Sequence, residues 1–263
     1  MDHQKTALST SGAVLVTGGA SGIGLAVVEA LLRLGRNVLV ADLGAAALEA
    51  LAPRLVGHAA RWSAHRCDVT SEADVGALFD DMVRRGLRVD GLVQSAGIGL
   101  EAPFVDTPVA ELRRLLEVNV VGSFIVAQAA ARHMAAQGGG SIVNIASASG
   151  LIGNIGQANY AAAKLGVMGL SRIVAMEGAA KNVRSNIIAP FAWTRMIASI
   201  PVKDEASAQR VGRMKAAMRA DQVAQLAVAL CADNAKHVSS QIFGVRGNEI
   251  VLFDQPRPIR SMA

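Results

Sequence analysis

The feature that most constrains this chain is an alternation. Short runs of β-branched and apolar residues take turns with longer Ala/Leu-rich stretches from residue 13 to residue 245. Seven runs read as strands: Ala13–Thr17, Asn37–Asp42, Ala64–Cys67, Asp90–Gln94, Ser141–Ile145, Val183–Ile188 and Gln241–Val245. Runs that are apolar throughout belong to strands covered on both faces. Helices are expected over Gly22–Leu34 (closed by Gly35), over Gly44–Leu55, and from Ser71, with Asp74 in its first turn. Further helices are expected over Val109–Leu116, Val118–Ala136, Gln157–Glu177 and Asp221–Ala232. Such alternation defines an α/β fold, a doubly wound parallel sheet of about seven strands with helices on both faces. No linker or repeat interrupts it. One domain is therefore expected over 12–263, after a flexible N-terminal tail at 1–11.

The first strand runs into Thr17-Gly-Gly-Ala-Ser-Gly-Ile-Gly24, and a helix follows at once. Gly18, Gly22 and Gly24 allow a tight turn, close approach of a pyrophosphate and close helix–strand packing. The free N–H groups and positive dipole end of the helix then face the phosphates. A glycine-rich loop means little alone, but between a first strand and its helix it marks a dinucleotide site. No Gly-Lys-Ser/Thr follows, which excludes a P-loop nucleotidase. The second strand ends at Asp42, 18 residues after Gly24. A carboxylate there accepts hydrogen bonds from both adenosine ribose hydroxyls and repels a 2′-phosphate. No Arg or Lys lies at 41–47, and loop position 21 is Ser, so NAD is favoured over NADP. Ser21 and Ile23 complete the expected loop contacts.

The chain holds a single tyrosine, Tyr160, and Lys164 follows it at i+4 on the same helix face. A nearby ammonium favours the phenolate and is expected to lower the phenol pKa from its usual value of about 10. The phenol then becomes a general acid or base near neutral pH. Ser147 stands 13 residues earlier, at the carboxyl end of the fifth strand, where ligands bind in open α/β sheets. Its hydroxyl can hold a substrate oxygen. Asn119 lies among apolar residues in a helix expected beside that strand. A buried amide needs hydrogen bonds, and either a catalytic or a merely satisfied core role meets that need.

From Ala13 to Val245 these residues together resemble the classical short-chain dehydrogenase/reductase family. The resemblance implies a Rossmann-type domain that transfers hydride between a secondary alcohol or ketone and a nicotinamide. It implies a catalytic tetrad of Asn119, Ser147, Tyr160 and Lys164. Tyr160 would be the acid/base and Ser147 would orient the carbonyl. Lys164 would also bind the nicotinamide ribose, and Asn119 would hold a water of the proton relay. Asp68 and Val69 match an adenine-contacting pair. Ala96-Gly97 matches half of the family's Asn-Asn-Ala-Gly motif, in which Gln94 and Ser95 replace the two asparagines. Pro190 is followed by Phe191 instead of Gly, and the threonine of the nicotinamide contact comes as Thr194. The stretch Pro190–Met196 and the tail Gln241–Pro258 are similar to a 3-hydroxyacyl-CoA dehydrogenase-like branch.

Segment 190–220 is expected to be a substrate lid and 246–263 a C-terminal extension. Ile152, Asn154, Phe191, Trp193 and Met196 are the candidate substrate-pocket residues. The lid carries six bases at 195–219 against two acids, within a chain of net charge +5, which would suit the phosphates of an acyl-CoA. A hydroxysteroid or another apolar secondary alcohol needs no such charge. A non-catalytic NAD-binding protein is the remote alternative and would have no need of Ser147, Tyr160 and Lys164 together. Only nine aromatic residues and no aromatics interleaved with the basic run argue against nucleic acid. The five histidines show no metal-ligand spacing, and Cys67 and Cys231 form no disulfide framework. No uninterrupted apolar run of about 20 residues suggests a membrane span. With no signal-like start, a cytoplasmic protein is expected, assembled as a homotetramer or homodimer through the 118–136 and 157–177 helices.

Overall fold

The computed structural model describes residues 12–191, 204–205, 208–209, 212 and 218–256. The expected tail at 1–11, most of the expected lid and the last seven residues lie outside them. In chain order the main elements are β1 (Gly12–Thr17), α1 (Gly22–Arg33), β2 (Asn37–Asp42), α2 (Ala45–Glu49), α3 (Leu51–Arg54), β3 (Trp62–Arg66), α4 (Glu72–Arg84) and β4 (Arg88–Gln94). There follow α5 (Val109–Leu116), α6 (Gly122–Ala136), β5 (Gly140–Ile145), α7 (Ser149–Ile152), α8 (Ala158–Gly178), β6 (Val183–Phe191), α9 (Ala220–Cys231), β7 (Ile242–Arg246) and β8 (Glu249–Phe253).

The eight strands form one sheet in the order β3-β2-β1-β4-β5-β6-β7-β8. The first seven are mutually parallel, as expected, and β8 runs antiparallel to β7. This edge strand was not anticipated in the tail. Its hairpin turns on Gly247-Asn248, with Gly247 at φ 60°, and Phe253 packs so close over Gly244 that a Cβ there would lie 2.8 Å from its ring.

Side chains alternate across the sheet. Val14 and Val16 point to the face covered by α1 and α9, whose Val28, Leu31, Leu32, Val223 and Ala227 are buried with them. Ala13 and Leu15 point to the other face, against Phe79 and Met82 of α4 and Val126, Ala130 and Met134 of α6. Strand order reverses between β1 and β4. The carboxyl ends of these two neighbours flank a topological switch point, the place where a doubly wound sheet opens a crevice.

Three helical expectations change in detail. The single helix over Gly44–Leu55 is two short pieces with a break at Ala50. Pro53 explains it: its nitrogen cannot bond the Glu49 carbonyl, and its ring crowds that oxygen. The helices at 109–116 and 118–136 are joined by a π-turn at Glu117–Val121. The joined helix, Val109–Ala136, is long and apolar enough to cross a membrane by length and composition. It instead forms a layer of the domain, packed on β4, β5, α4 and α8.

Candidate active site

The carboxyl ends of β1, β2, β4, β5 and β6 border a cleft of about 900 Å³. At one end stands the glycine loop. Gly18 adopts φ 62°, and a Cβ on it would lie 2.7 Å from the backbone of Ala96. A Cβ on Gly24 would lie 2.2 Å from the Gly18 carbonyl oxygen, so this glycine packs the helix against the turn and does not line the cleft. Gly22 (φ 56°) is the opposite case: nothing lies within 4 Å of where its Cβ would be. Ser21 caps α1 without a side-chain hydrogen bond, and the first turn has no acid. Open space before free N–H groups at a positive helix end fits a phosphate.

Asp42 closes this end. Its Oδ2 accepts from the Ala20 N–H at 3.0 Å and its Oδ1 from the Gly44 N–H at 3.1 Å. The carboxylate thus braces the glycine loop as well as facing the cleft. Asp68 Oδ1 accepts from the Thr70 N–H and hydroxyl at 2.9 and 2.8 Å, which holds its carboxyl below the usual range. Val69 packs against Gly122 at the front of α6. Ser95 and Ala96 are tied to Thr17 through their N–H groups, at 3.1 and 3.4 Å. Gly18, Ser21, Gly22, Ile23, Asp42, Asp68, Val69, Ser95, Ala96, Gly97 and Pro190 all line the cleft. These residues fit a nicotinamide dinucleotide.

Ser147, Tyr160 and Lys164 line the other end. Lys164 is buried, its Nζ lies 5.5 Å from the Tyr160 ring centroid, and it donates to the Ile145 carbonyl at 3.0 Å. The expected lowering of the phenol pKa is not found. Burial pushes Tyr160 up to about 12; the Ser147 hydroxyl pulls it down and the Glu101 carboxylate adds to the rise. Burial likewise brings Lys164 down to about 8. Desolvation is the largest cause at both groups, and Lys164 is not among the causes that shift Tyr160.

Asn119 is fully buried at the centre of the π-turn, and it does not line the cleft. Its Oδ1 accepts from the Ile98 N–H and its Nδ2 donates to the Ile98 carbonyl, both at 2.8 Å. The amide clamps the strand exit that carries Gly97. A Cβ on Gly97 would lie 2.8 Å from Asn119 Oδ1 and 3.5 Å from Lys164 Nζ. Beneath the cleft, Gln94 Nε2 donates to Asn144 Oδ1 at 2.8 Å, Asn144 Nδ2 to Ser185 Oγ at 3.1 Å, and Ser185 meets Ser171 of α8 at 2.8 Å. The longer Gln94 therefore still ties the central strands together and links them to α8, which carries Tyr160 and Lys164.

Ile152 and Asn154 line the cleft. Phe191 is the last residue of β6. Trp193, Thr194 and Met196 lie outside the described residues. Of the basic run at 195–219, Arg219 is ion-paired with Asp221 at 2.9 Å. Met218, which the sequence offers as a packing residue or part of an apolar substrate wall, lines the cleft; sequence reasoning missed Glu101, Ser149 and Gln157, which also line it. Ser147 Oγ donates to Ser149 Oγ at 3.2 Å, Ser149 Oγ to Gln157 Oε1 at 2.6 Å, and Gln157 Nε2 to Glu101 Oε1. Ser149 and Gln157 lie close to the motif residues in sequence, which was the only available signal; Glu101 is 56 residues from its partner.

The fold and cleft define a dinucleotide-binding oxidoreductase with a tyrosine–lysine pair. Residues 12–203 match the short chain dehydrogenase family. The chain belongs to this family, whose members are nicotinamide-dependent oxidoreductases of alcohols and ketones. It is 38% identical to a cis-4-hydroxycyclohexanecarboxylate dehydrogenase of Sinomonas cyclohexanicum over 89% of this chain and 94% of that protein. It is 32% identical to a 3-oxoacyl-(acyl-carrier-protein) reductase of Thermotoga maritima, over 90% and 97%. A short-chain dehydrogenase/reductase from Burkholderia xenovorans, so assigned provisionally, superposes with a TM-score of 0.82 at 31% identity, covering 90% of this chain and 96% of that one.

Proposed function

We propose that the chain is an NAD-dependent secondary-alcohol dehydrogenase and ketone reductase with Tyr160 as its acid/base. The observation that carries this reading is one continuous cleft with Gly18, Gly22 and Asp42 at one end and Ser147, Tyr160 and Lys164 at the other. When bound, the nicotinamide supplies a two-electron hydride acceptor or donor. Tyr160 takes the hydroxyl proton as an alcohol is oxidised and returns it to the oxygen as a ketone is reduced. Ser147 donates a hydrogen bond to the same oxygen, which requires its hydroxyl to turn away from Ser149. Lys164 spends one N–H on Ile145 and keeps two for ribose hydroxyls. Asn119 fixes Ile98, and a relay water would share its main-chain carbonyl with the Ser123 hydroxyl, which donates to it at 2.7 Å.

Asp42 supports NAD over NADP, since a 2′-phosphate beside it is an unrelieved like-charge contact. A 3-hydroxyacyl thioester is the second substrate reading, supported by the basic run at 195–219 and by the likeness to the Thermotoga reductase. The half-exposed apolar residues Phe124, Leu165, Ile173 and Met176 on α6 and α8 support assembly of copies through those helices, for which a monomer in light scattering is the refuting result.

The deciding experiment follows the NADH absorbance band over a panel of free alcohols, ketones and matched acyl-CoA thioesters, with NAD and NADP side by side. Turnover is expected with NAD at least about tenfold better than with NADP. Tyr160→Phe should cut turnover by about 10³-fold while leaving NADH binding nearly intact. Retained turnover in that variant overturns the reading.

A further inference from the structure

Segment 98–102 borders the cleft through Ile98 and Glu101 and meets the loop before α8, where the Ala102 N–H donates to the Gly156 carbonyl at 3.0 Å. Glu101 and Gln157 face each other across this seam. Gln157 is buried; its oxygen accepts from Ser149 and its amide donates to Glu101 Oε1. Ser149 in turn accepts from Ser147, so a three-link chain runs from the serine of the reacting end to the carboxylate. Glu101 is exposed and lines the same cleft as Tyr160. Its charge is felt there, since it helps to raise the Tyr160 phenol. Among the described residues, its second oxygen, Oε2, has no hydrogen-bond partner. The catalytic chemistry has no use for this group.

A carboxylate pinned through one oxygen offers the other as an acceptor at a set place. It rejects groups that can only accept, such as carboxylates and thioester carbonyls, and it welcomes hydroxyl or ammonium donors. Between these two, the cleft favours the neutral donor. Lys164 already places a cationic group in the same cleft, and the exposure of Glu101 screens the attraction that an ammonium would need to offset it.

Building on the alcohol–ketone reading above, we propose that Glu101 is a specificity residue that accepts a hydrogen bond from a second, non-reacting hydroxyl of the substrate. The preferred substrate class is then a diol or polyol rather than a simple alcohol or an acyl thioester. Gln157 is the positioning residue that holds the carboxylate in place.

The test compares kcat/KM for cyclohexane-1,4-diol and cyclohexanol, with NAD, in the wild type and in Glu101→Gln and Glu101→Leu. The wild type should favour the diol. Glu101→Leu should lower the diol-to-cyclohexanol ratio by about tenfold, mostly through the KM of the diol, because a hydrogen bond to a charged acceptor is lost. Glu101→Gln keeps an acceptor oxygen and should fall between. A wild type that treats the two alcohols alike overturns the proposal. So does a parallel loss on both substrates in the variants, which marks a structural role, or a preference for 4-aminocyclohexanol over the diol. If the wild type forms no NADH from any alcohol while still binding NADH, the oxidoreductase reading of the site falls first and the proposal with it.

Discussion

The two ends of the cleft are made of different material. At the cofactor end the atoms that matter belong mostly to the backbone: the N–H groups behind Ser21, the positive φ of Gly18 and Gly22, and the contact of Gly24 with the Gly18 carbonyl. At the proposed substrate end they belong to side chains, in the chain Ser147–Ser149–Gln157–Glu101 and in the pair of half-buried Tyr160 and buried Lys164. A backbone site has no room for an added Cβ where chain meets chain, as at Gly18 and Gly24, but is indifferent to protonation. A side-chain site tolerates many changes of shape but depends on which groups carry protons.

This contrast can be broken by experiment. Gly24→Ala carries the largest expected effect on the fold. Its Cβ would stand 2.2 Å from a carbonyl oxygen, so backbone must move, at a cost of about 3 kcal/mol and with loss of NADH binding. Chemical denaturation and a NADH titration read both quantities. Lys164→Met comes next and has the opposite sign. The native state holds Lys164 near 8 against an ordinary 10.5. Below pH 8 both folded and unfolded chains carry the proton, and the full penalty for burying it stands. Between about 8 and 10.5 the unfolded chain binds the extra proton, so native stability rises with pH. The variant should therefore be more stable than the wild type at pH 7 by on the order of 2 kcal/mol, while being inactive. That gain should fade above pH 8 and vanish above 10.5 in thermal melts; a gain independent of pH overturns the burial account. Gly22→Ala is the smallest. Its Cβ meets open space, so only the left-handed φ costs, about 1 kcal/mol. A Gly22 variant as damaging as the Gly24 variant would show that conformation, not contact, makes the loop.

The same contrast explains what could be read in advance. Backbone sites write themselves into local sequence, since Gly18, Gly22 and Gly24 sit together between a strand and its helix. Tyr160 and Lys164 were legible for the same reason, being one helical turn apart. Seven of the eight strands followed from apolar runs, whereas β8 did not. Its run Ile250-Val-Leu-Phe253 depends on a hairpin onto β7, a pairing that no periodicity announces. Glu101 could not be found because its partner stands 56 residues away on another loop. The direction of the Tyr160 shift was misjudged because spacing reports charges and is blind to burial. Asn119 was found as a buried amide, but only coordinates reveal that it spends both hydrogen-bonding groups on Ile98.

Asp42 ends in two backbone hydrogen bonds, from Ala20 and Gly44. On the proposed NAD reading, cofactor choice and loop rigidity are thereby carried on one side chain. A redesign that removes the carboxylate to admit a 2′-phosphate also releases the Ala20 N–H from the turn beneath the pyrophosphate position. Single replacements such as Asp42→Ala should loosen the hold on either dinucleotide. A redesign that keeps an acceptor at position 42, as Ser, Thr or Asn, before a base is added beside it should preserve the bond from Ala20.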